Sequence, residues 1–277
     1  MTRSFDWQAR VGDVWAEDWQ RTDRAFAGLV PHFDAAILAA APGAGGRVVD
    51  IGCGAGSTAL ALADARPDLV VHGVDLSPAL LAVARHRDER GAVQFVEGDV
   101  LTVVPSLAPV DLYVSRHGVM FFADPAAALA RLANAARPGA ALVFSCFAAP
   151  ADNPWSTLIT PPPAPRDPPP PGPFAFADPQ RVAALLRDAG WHAEEPARID
   201  FAYRVGAGED PVADAVDFLS RIGPAATVLR EARPADRPAL VERLAAALAD
   251  HRHGSCVELP AAAWIWRARR IGAGEAT

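Results

Sequence analysis

Val48-Val49-Asp50-Ile51-Gly52-Cys53-Gly54-Ala55-Gly56-Ser57-Thr58 is the stretch whose reading decides the fold. An apolar β-branched run reads as a buried strand. Gly52, Gly54 and Gly56 then open a turn in which bare backbone can approach a ligand. From Ser57 the pattern turns helical, and a helix start presents unpaired N–H groups at that same turn. In a doubly wound sheet, ligands bind outside the carboxyl ends of the strands at such a loop. Dinucleotide sites use G-x-G-x-x-G, and Ser57 stands where that pattern has its last glycine. Asp50 precedes the glycines; its carboxylate suits the amino group of a methionine moiety and would repel a pyrophosphate. The loop alone leaves an ordinary strand-helix turn and two ligand classes open.

Outward from the loop the texture alternates. Strands are expected at 70–74, 93–96, 110–115 and 140–147, and helices at 57–65 and 126–136. Ser77-Pro78, Asp124-Pro125 and Asp178-Pro179 each place a capping side chain before a proline at the first helical position. The rhythm predicts an α/β fold, a doubly wound, seven-stranded, mostly parallel sheet covered on both faces. Upstream, residues 13–41 carry an apolar stripe at three-to-four spacing and read as helical. Downstream, 161–173 is proline-dense and extended, a surface loop or lid. A helix over 178–189, a strand over 194–205, helices over 211–229 and 238–249, and a last strand over 257–268 follow. The division expected is an N-terminal helical cap (1–42), an α/β core (43–150), a proline-rich lid with a strand and helical cover (151–254), and the final strand with a tail (255–277).

Composition narrows the classes. The chain has 277 residues, 51% apolar and 21% charged, enough for one large globular domain. Its formal net charge is -7, which argues against a nucleic-acid partner. No apolar run reaches the roughly 18 residues that span a bilayer, so no membrane partner is expected. Met1 to Gln20 has no apolar signal core, and the reading is cytoplasmic. The chain contains no lysine, which excludes a Schiff base with pyridoxal phosphate and a P-loop. Cys53, Cys146 and Cys256 form neither a disulfide framework nor a metal pair. His251-x-His253 reads as a frayed helix end, and no metal is expected.

The loop and its sequel resemble the class I S-adenosylmethionine-dependent methyltransferases. The resemblance continues at Val-His-Gly-Val-Asp-Leu-Ser-Pro, 71–78, and Val-Glu-Gly-Asp-Val, 96–100. It implies that Asp75 holds the ribose hydroxyls, since a carboxylate accepts two hydrogen bonds from a diol. It implies that Asp99 accepts from the adenine amino group, that the Val100 amide meets a ring nitrogen, and that Leu76 packs on the adenine. Asp50, Gly52, Cys53, Gly54 and Gly56 then surround the methionine end, with Ser115 and Arg116 after the fourth strand. Ser115 to Pro125, Ala136 to Phe144, Asn153-Pro154-Trp155, Gly172 to Pro179, Trp15 to Asp23 and Leu259 to Trp264 look like a bacterial small-molecule branch related to the ubiquinone-biosynthesis type. That branch commonly has an aromatic where His117 stands. A histidine there is either a base for a hydroxyl or amine, or a packing substitute for the aromatic.

The function this implies is in-line transfer of the methyl group to a small hydrophobic or aromatic metabolite on O, N or C, with S-adenosylhomocysteine as product. Trp15, Trp19, Trp155, Phe174 and Phe176 are the expected acceptor pocket, each alternatively a core residue. The protein is expected as a monomer or homodimer. The rivals are a nicotinamide-dependent oxidoreductase, a non-catalytic binding module, and an enzyme that uses the sulfonium without transferring its methyl group.

Overall fold

The computed structural model describes residues 10–161 and 166–272. The first nine residues of the expected cap, 162–165 of the proline-dense stretch and the tail 273–277 lie outside them.

Three helices come first: α1 (Arg10–Glu17), α2 (Trp19–Phe26) and α3 (Val30–Ala40). Then follow β1 (Arg47–Ile51), α4 (Ser57–Ala65), β2 (Val70–Asp75), α5 (Pro78–Arg87), β3 (Val93–Glu97), α6 (Val100–Leu107), β4 (Val110–Arg116), α7 (Pro125–Ala135) and β5 (Ala136–Phe147). The remainder is α8 (Pro179–Asp188), β6 (Trp191–Ala193), β7 (Ala197–Ala207), α9 (Pro211–Arg221), α10 (Pro224–Glu231), α11 (Arg237–Ala249), β8 (Arg252–His253) and β9 (Cys256–Arg270). Among the described residues no helix is long and apolar enough to cross a membrane.

The first five strands run parallel in the order β3-β2-β1-β4-β5. β9 lies antiparallel beside β5, and β6 and β7 pair with successive stretches of its far edge. β6 and β7 thus act as one interrupted strand, and the sheet has seven strand positions, with β8 a short hairpin arm on β9. The chain winds outward from β1 through β2 to β3, then returns to start the other way with β4. Right-handed crossovers put the helices of the two halves on opposite faces. The switch point lies between β1 and β4, where a crevice opens at the carboxyl ends. The strands are buried on both sides: Val48, Val49, Leu112, Val114, Leu142 and Phe144 are fully buried.

The three proline caps form as the sequence predicts. Ser77 accepts from Leu80 N–H, Asp124 from Ala127 N–H, and Asp178 from Gln180 and Arg181 N–H. The differences have local causes. The N-terminal helical segment is broken at Gly28, where a Cβ would stand 3.2 Å from Phe201 Cβ; the missing side chain lets this backbone lie on β7. The helix expected over 211–229 is two, because Gly223 takes φ 92° and Pro224 starts α10 without an N–H to donate. β5 begins at Ala136, paired with Val110, and the register then shifts so that Ala141 pairs with Leu112. α6 was not expected: its run Val-Leu-Thr-Val-Val-Pro-Ser-Leu lacks a polar face and contains Pro105. Arg252 and His253, expected as a frayed helix end, form β8.

Candidate active site

β1 delivers Asp50 to the crevice one residue before its end. Its Oδ2 is buried and has no hydrogen-bond partner. Burial pushes the carboxyl up to about 7; the Arg116 guanidinium opposes that shift and the Asp75 carboxylate adds to it. The glycine turn follows, with φ 64° at Gly52, 55° at Gly54 and 83° at Gly56. Gly56 is the residue before α4, and a Cβ there would press on Ala84 and the Phe95 ring at 3.0–3.1 Å. It is therefore a packing glycine, and it does not line the crevice.

Asp75 ends β2 and ties the turn to the next one. Its Oδ2 accepts from Gly54 N–H and its Oδ1 from Ser77 N–H, both at 2.8 Å. Burial raises its pKa, and these N–H groups partly offset the rise. Asp99 caps α6, its Oδ1 accepting from Leu101 N–H at 2.9 Å. Three strand ends thus bring three carboxylates to one rim.

These acids, with Gly52, Cys53, Gly54, Leu76, Val100, Arg116 and His117, line a single cavity of about 420 Å³. Ser115 does not line it; its side chain is fully buried and its hydroxyl donates to Ile51 O at 2.7 Å, tying β4 to β1. Trp15, Trp19 and Trp155 are on the wall. Phe174 stands behind it, its ring 5.7 Å from Trp155 and 6.1 Å from Phe147. Phe176 is a correction: it is fully buried against Phe144, accepts the Cys146 S–H at its carbonyl, and belongs to the core.

The sequence reading missed Phe26, Phe147, Tyr203, Leu219 and Ile222, which complete the apolar end. Phe201, Tyr203 and Val205 are buried at every second position of β7, a signal that marks an inner face without saying what it faces. It also missed Asp23. This carboxylate on α2 accepts from Ser57 Oγ at 2.6 Å and Arg116 at 2.8 Å, and pairs with Arg87 at 3.2 Å. Arg87 lies 4.0 Å over the Trp19 ring. One side chain therefore latches the N-terminal helices to the glycine-loop helix and to the end of β4. Asp23→Ala is expected to cost about 2 kcal/mol of stability, since it leaves two part-buried arginines short of an acceptor. Hydrogen exchange should quicken selectively in 10–26; unchanged exchange there would remove the latch.

His117 follows β4 with φ 61°, a left-handed conformation that non-glycine residues rarely hold. Its ring sits 4.3 Å from Phe147 and 4.8 Å from Phe26. Burial holds the imidazole down at about 3, and the Arg116 charge acts in the same direction. It is neutral at any ordinary pH.

Residues 48–139 match the family model described as Methyltransferase domain. The chain is 37% identical over 107 residues to a trans-aconitate 2-methyltransferase of Methylobacterium nodulans, covering 38% of this chain and 40% of that one. It is 36% identical over 106 residues to a demethylmenaquinone methyltransferase of Thermus thermophilus, covering 38% and 48%. These matches span less than half the length of either relative. In fold it is similar to a putative methyltransferase from Bacillus halodurans, with a TM-score of 0.56 at 15% identity over 87% of this chain and 99% of that one. The matched segment, residues 48–139, carries the glycine loop and the strand-end acids Asp50, Asp75 and Asp99, and it is over this part of the chain that the similarity to methyltransferases runs.

Proposed function

We propose that this chain transfers the methyl group of S-adenosylmethionine to a small hydrophobic or aromatic acceptor. The observation that carries the proposal is the polarity of this cavity. Its loop end holds Asp50, Asp75 and Asp99; its other end is lined by Phe26, Phe147, Trp155, Tyr203, Leu219 and Ile222. The acids suit a ligand that donates an ammonium, a ribose diol and an exocyclic amine. The partnerless Oδ2 of Asp50 is a buried acceptor waiting for a cation, and an amine fits it.

S-adenosylmethionine supplies, when bound, a methyl group already activated as a sulfonium. The protein's own work is then to hold, align and dry the site. Asp50, Asp75 and Asp99 fix the ligand at the strand ends. The rings around His117 orient the acceptor and exclude water. The described residues up to 42 and those between 151 and 254 act as covers over the core 43–150, and β9 closes its sheet.

Trans-aconitate, named in several relatives, is a polyanion. Arg116 is the one arginine on the cavity wall among the described residues, and Asp23 already holds it. Polyanion recognition normally uses several unpaired cations, so the acceptor end favours an apolar molecule, as the demethylmenaquinone relative's name suggests.

Calorimetry should show S-adenosylmethionine binding and none of NAD, and phenols or quinols should be methylated in preference to polycarboxylates. No binding of S-adenosylmethionine would reject the proposal; preference for polycarboxylates would reject its acceptor class.

A further inference from the structure

His117 is held by one residue, Ser145 of β5. The His117 backbone N–H donates to Ser145 O at 3.1 Å, and Nδ1 lies 2.9 Å from Ser145 Oγ. Ser145 is fully buried, and among the described residues His117 Nδ1 is the sole hydrogen-bond partner of its hydroxyl. On the other side of the ring, Nε2 is buried, has no partner, and belongs to a residue of the cavity wall.

A neutral imidazole carries one hydrogen, and a hydroxyl has one to give. If Nδ1 carried the ring hydrogen, it would donate to Oγ and leave the serine hydrogen buried without an acceptor. The Nε2 lone pair would be left without a donor as well, so two buried groups would go unmet, at about 1–3 kcal/mol each. If Nε2 carries it, the serine hydroxyl donates to the Nδ1 lone pair, and the only group left unmet is the Nε2–H itself. The remaining N–H then belongs to the one ring atom that lacks a partner.

We propose that Ser145 fixes His117 as the Nε2–H tautomer, so that His117 gives a hydrogen bond to an oxygen of the methyl acceptor rather than taking a proton from it. The acceptor role rests on the methyltransferase reading above; the tautomer does not. The left-handed backbone at His117 fits this placement, since such conformations persist where surrounding structure imposes them. A ring that stays neutral at low pH is a poor base and remains a serviceable donor.

The geometry selects an acceptor chemistry. A donor at this place favours an oxygen that carries negative charge, as in a phenolate or the enolate of a β-dicarbonyl. Such a molecule loses its proton to solvent before it binds. Its oxygen, or the carbon conjugated with it, then gives an electron pair to the methyl carbon. The pair of the broken carbon–sulfur bond stays on sulfur, and the anion and the sulfonium cancel. No base is required at that step. Ser145 is a positioning residue, acting through His117.

The test is long-range proton–nitrogen NMR on ¹⁵N-histidine-labelled full-length chain, with the His117 signals assigned by their loss in His117→Asn. The expected result is a bare Nδ1 and a protonated Nε2, unchanged from pH 5 to pH 8, and a mixture of tautomers in Ser145→Ala. A protonated Nδ1 in the unsubstituted chain, titration of the ring within that range, or an unaltered tautomer in folded Ser145→Ala would each overturn it. If Ser145→Ala does not fold, the unsubstituted spectrum decides alone. The measurement needs no methyl donor or acceptor, so its failure is distinct from a failure to bind S-adenosylmethionine.

Discussion

Asp75→Ala is expected to weaken S-adenosylmethionine binding by about two orders of magnitude, the loss of roughly 3 kcal/mol of charge-assisted hydrogen bonding to a diol. It should also destabilise the protein before any ligand is added. The carboxylate accepts from Gly54 and Ser77 N–H, and removing it strands both donors at the hinge between the glycine turn and α5. A loss of about 2 kcal/mol is expected from two such groups. Asp75→Asn separates the effects: one amide oxygen keeps an acceptor, while the charge and the second acceptor go. Calorimetry on both variants, beside their denaturation curves, provides the check. Unchanged affinity in Asp75→Ala would reject the ribose role whatever the stability did.

Asp50→Asn should move stability and binding in opposite directions. The buried carboxyl has a folded pKa of about 7 against 3.8 for the free group. Between those values the folded chain binds more protons than the unfolded chain, so stability falls as pH rises from about 4 to about 7 and is level beyond. The full difference corresponds to about 4 kcal/mol at pH 8, order of magnitude. Asparagine removes the charge but stays polar, so part of this should be recovered, about 1–2 kcal/mol at pH 8 and less at pH 5. Binding should suffer instead, by about 10- to 100-fold, because the ammonium loses its counter-charge.

The same group makes binding depend on pH. Below pH 7 a cationic ligand must displace the Asp50 proton, so affinity should drop by up to about tenfold per pH unit. Calorimetry in two buffers of different ionisation enthalpy reads the released proton directly. Asp75 is raised in the same direction and leaves a smaller pH dependence in Asp50→Asn. A variant less stable than the parent at pH 8, or one with the parent's full pH dependence, would show that Asp50 is not the strained group.

The core was legible because its signals are short-range. A β-branched run, three glycines and a helix start lie within eleven consecutive residues, and backbone geometry alone makes them a turn. The Ser-Pro and Asp-Pro caps formed as read because a side chain reaches an N–H two or three residues on. α6 was not legible, since an apolar run without a polar face carries no period. Phe176 was misplaced because an aromatic in a loop gives no sign of which wall it will join. Asp23 was passed over because its partners, Ser57, Arg87 and Arg116, come from three other parts of the chain.

By itself, then, the sequence determined the acid-lined end of the cavity: Asp50, Asp75 and Asp99 sit at strand ends whose positions follow from local hydrogen bonding and pattern. Only the tertiary structure decided the apolar end, which α2, β5, β7 and α9 assemble by burying apolar faces that have no local reason to meet. It also decided the chemistry of His117. A histidine in a sequence is equally a base, a donor or a packing ring. Burial between Phe26 and Phe147 keeps it neutral, and a single hydroxyl behind it determines which nitrogen bears the hydrogen.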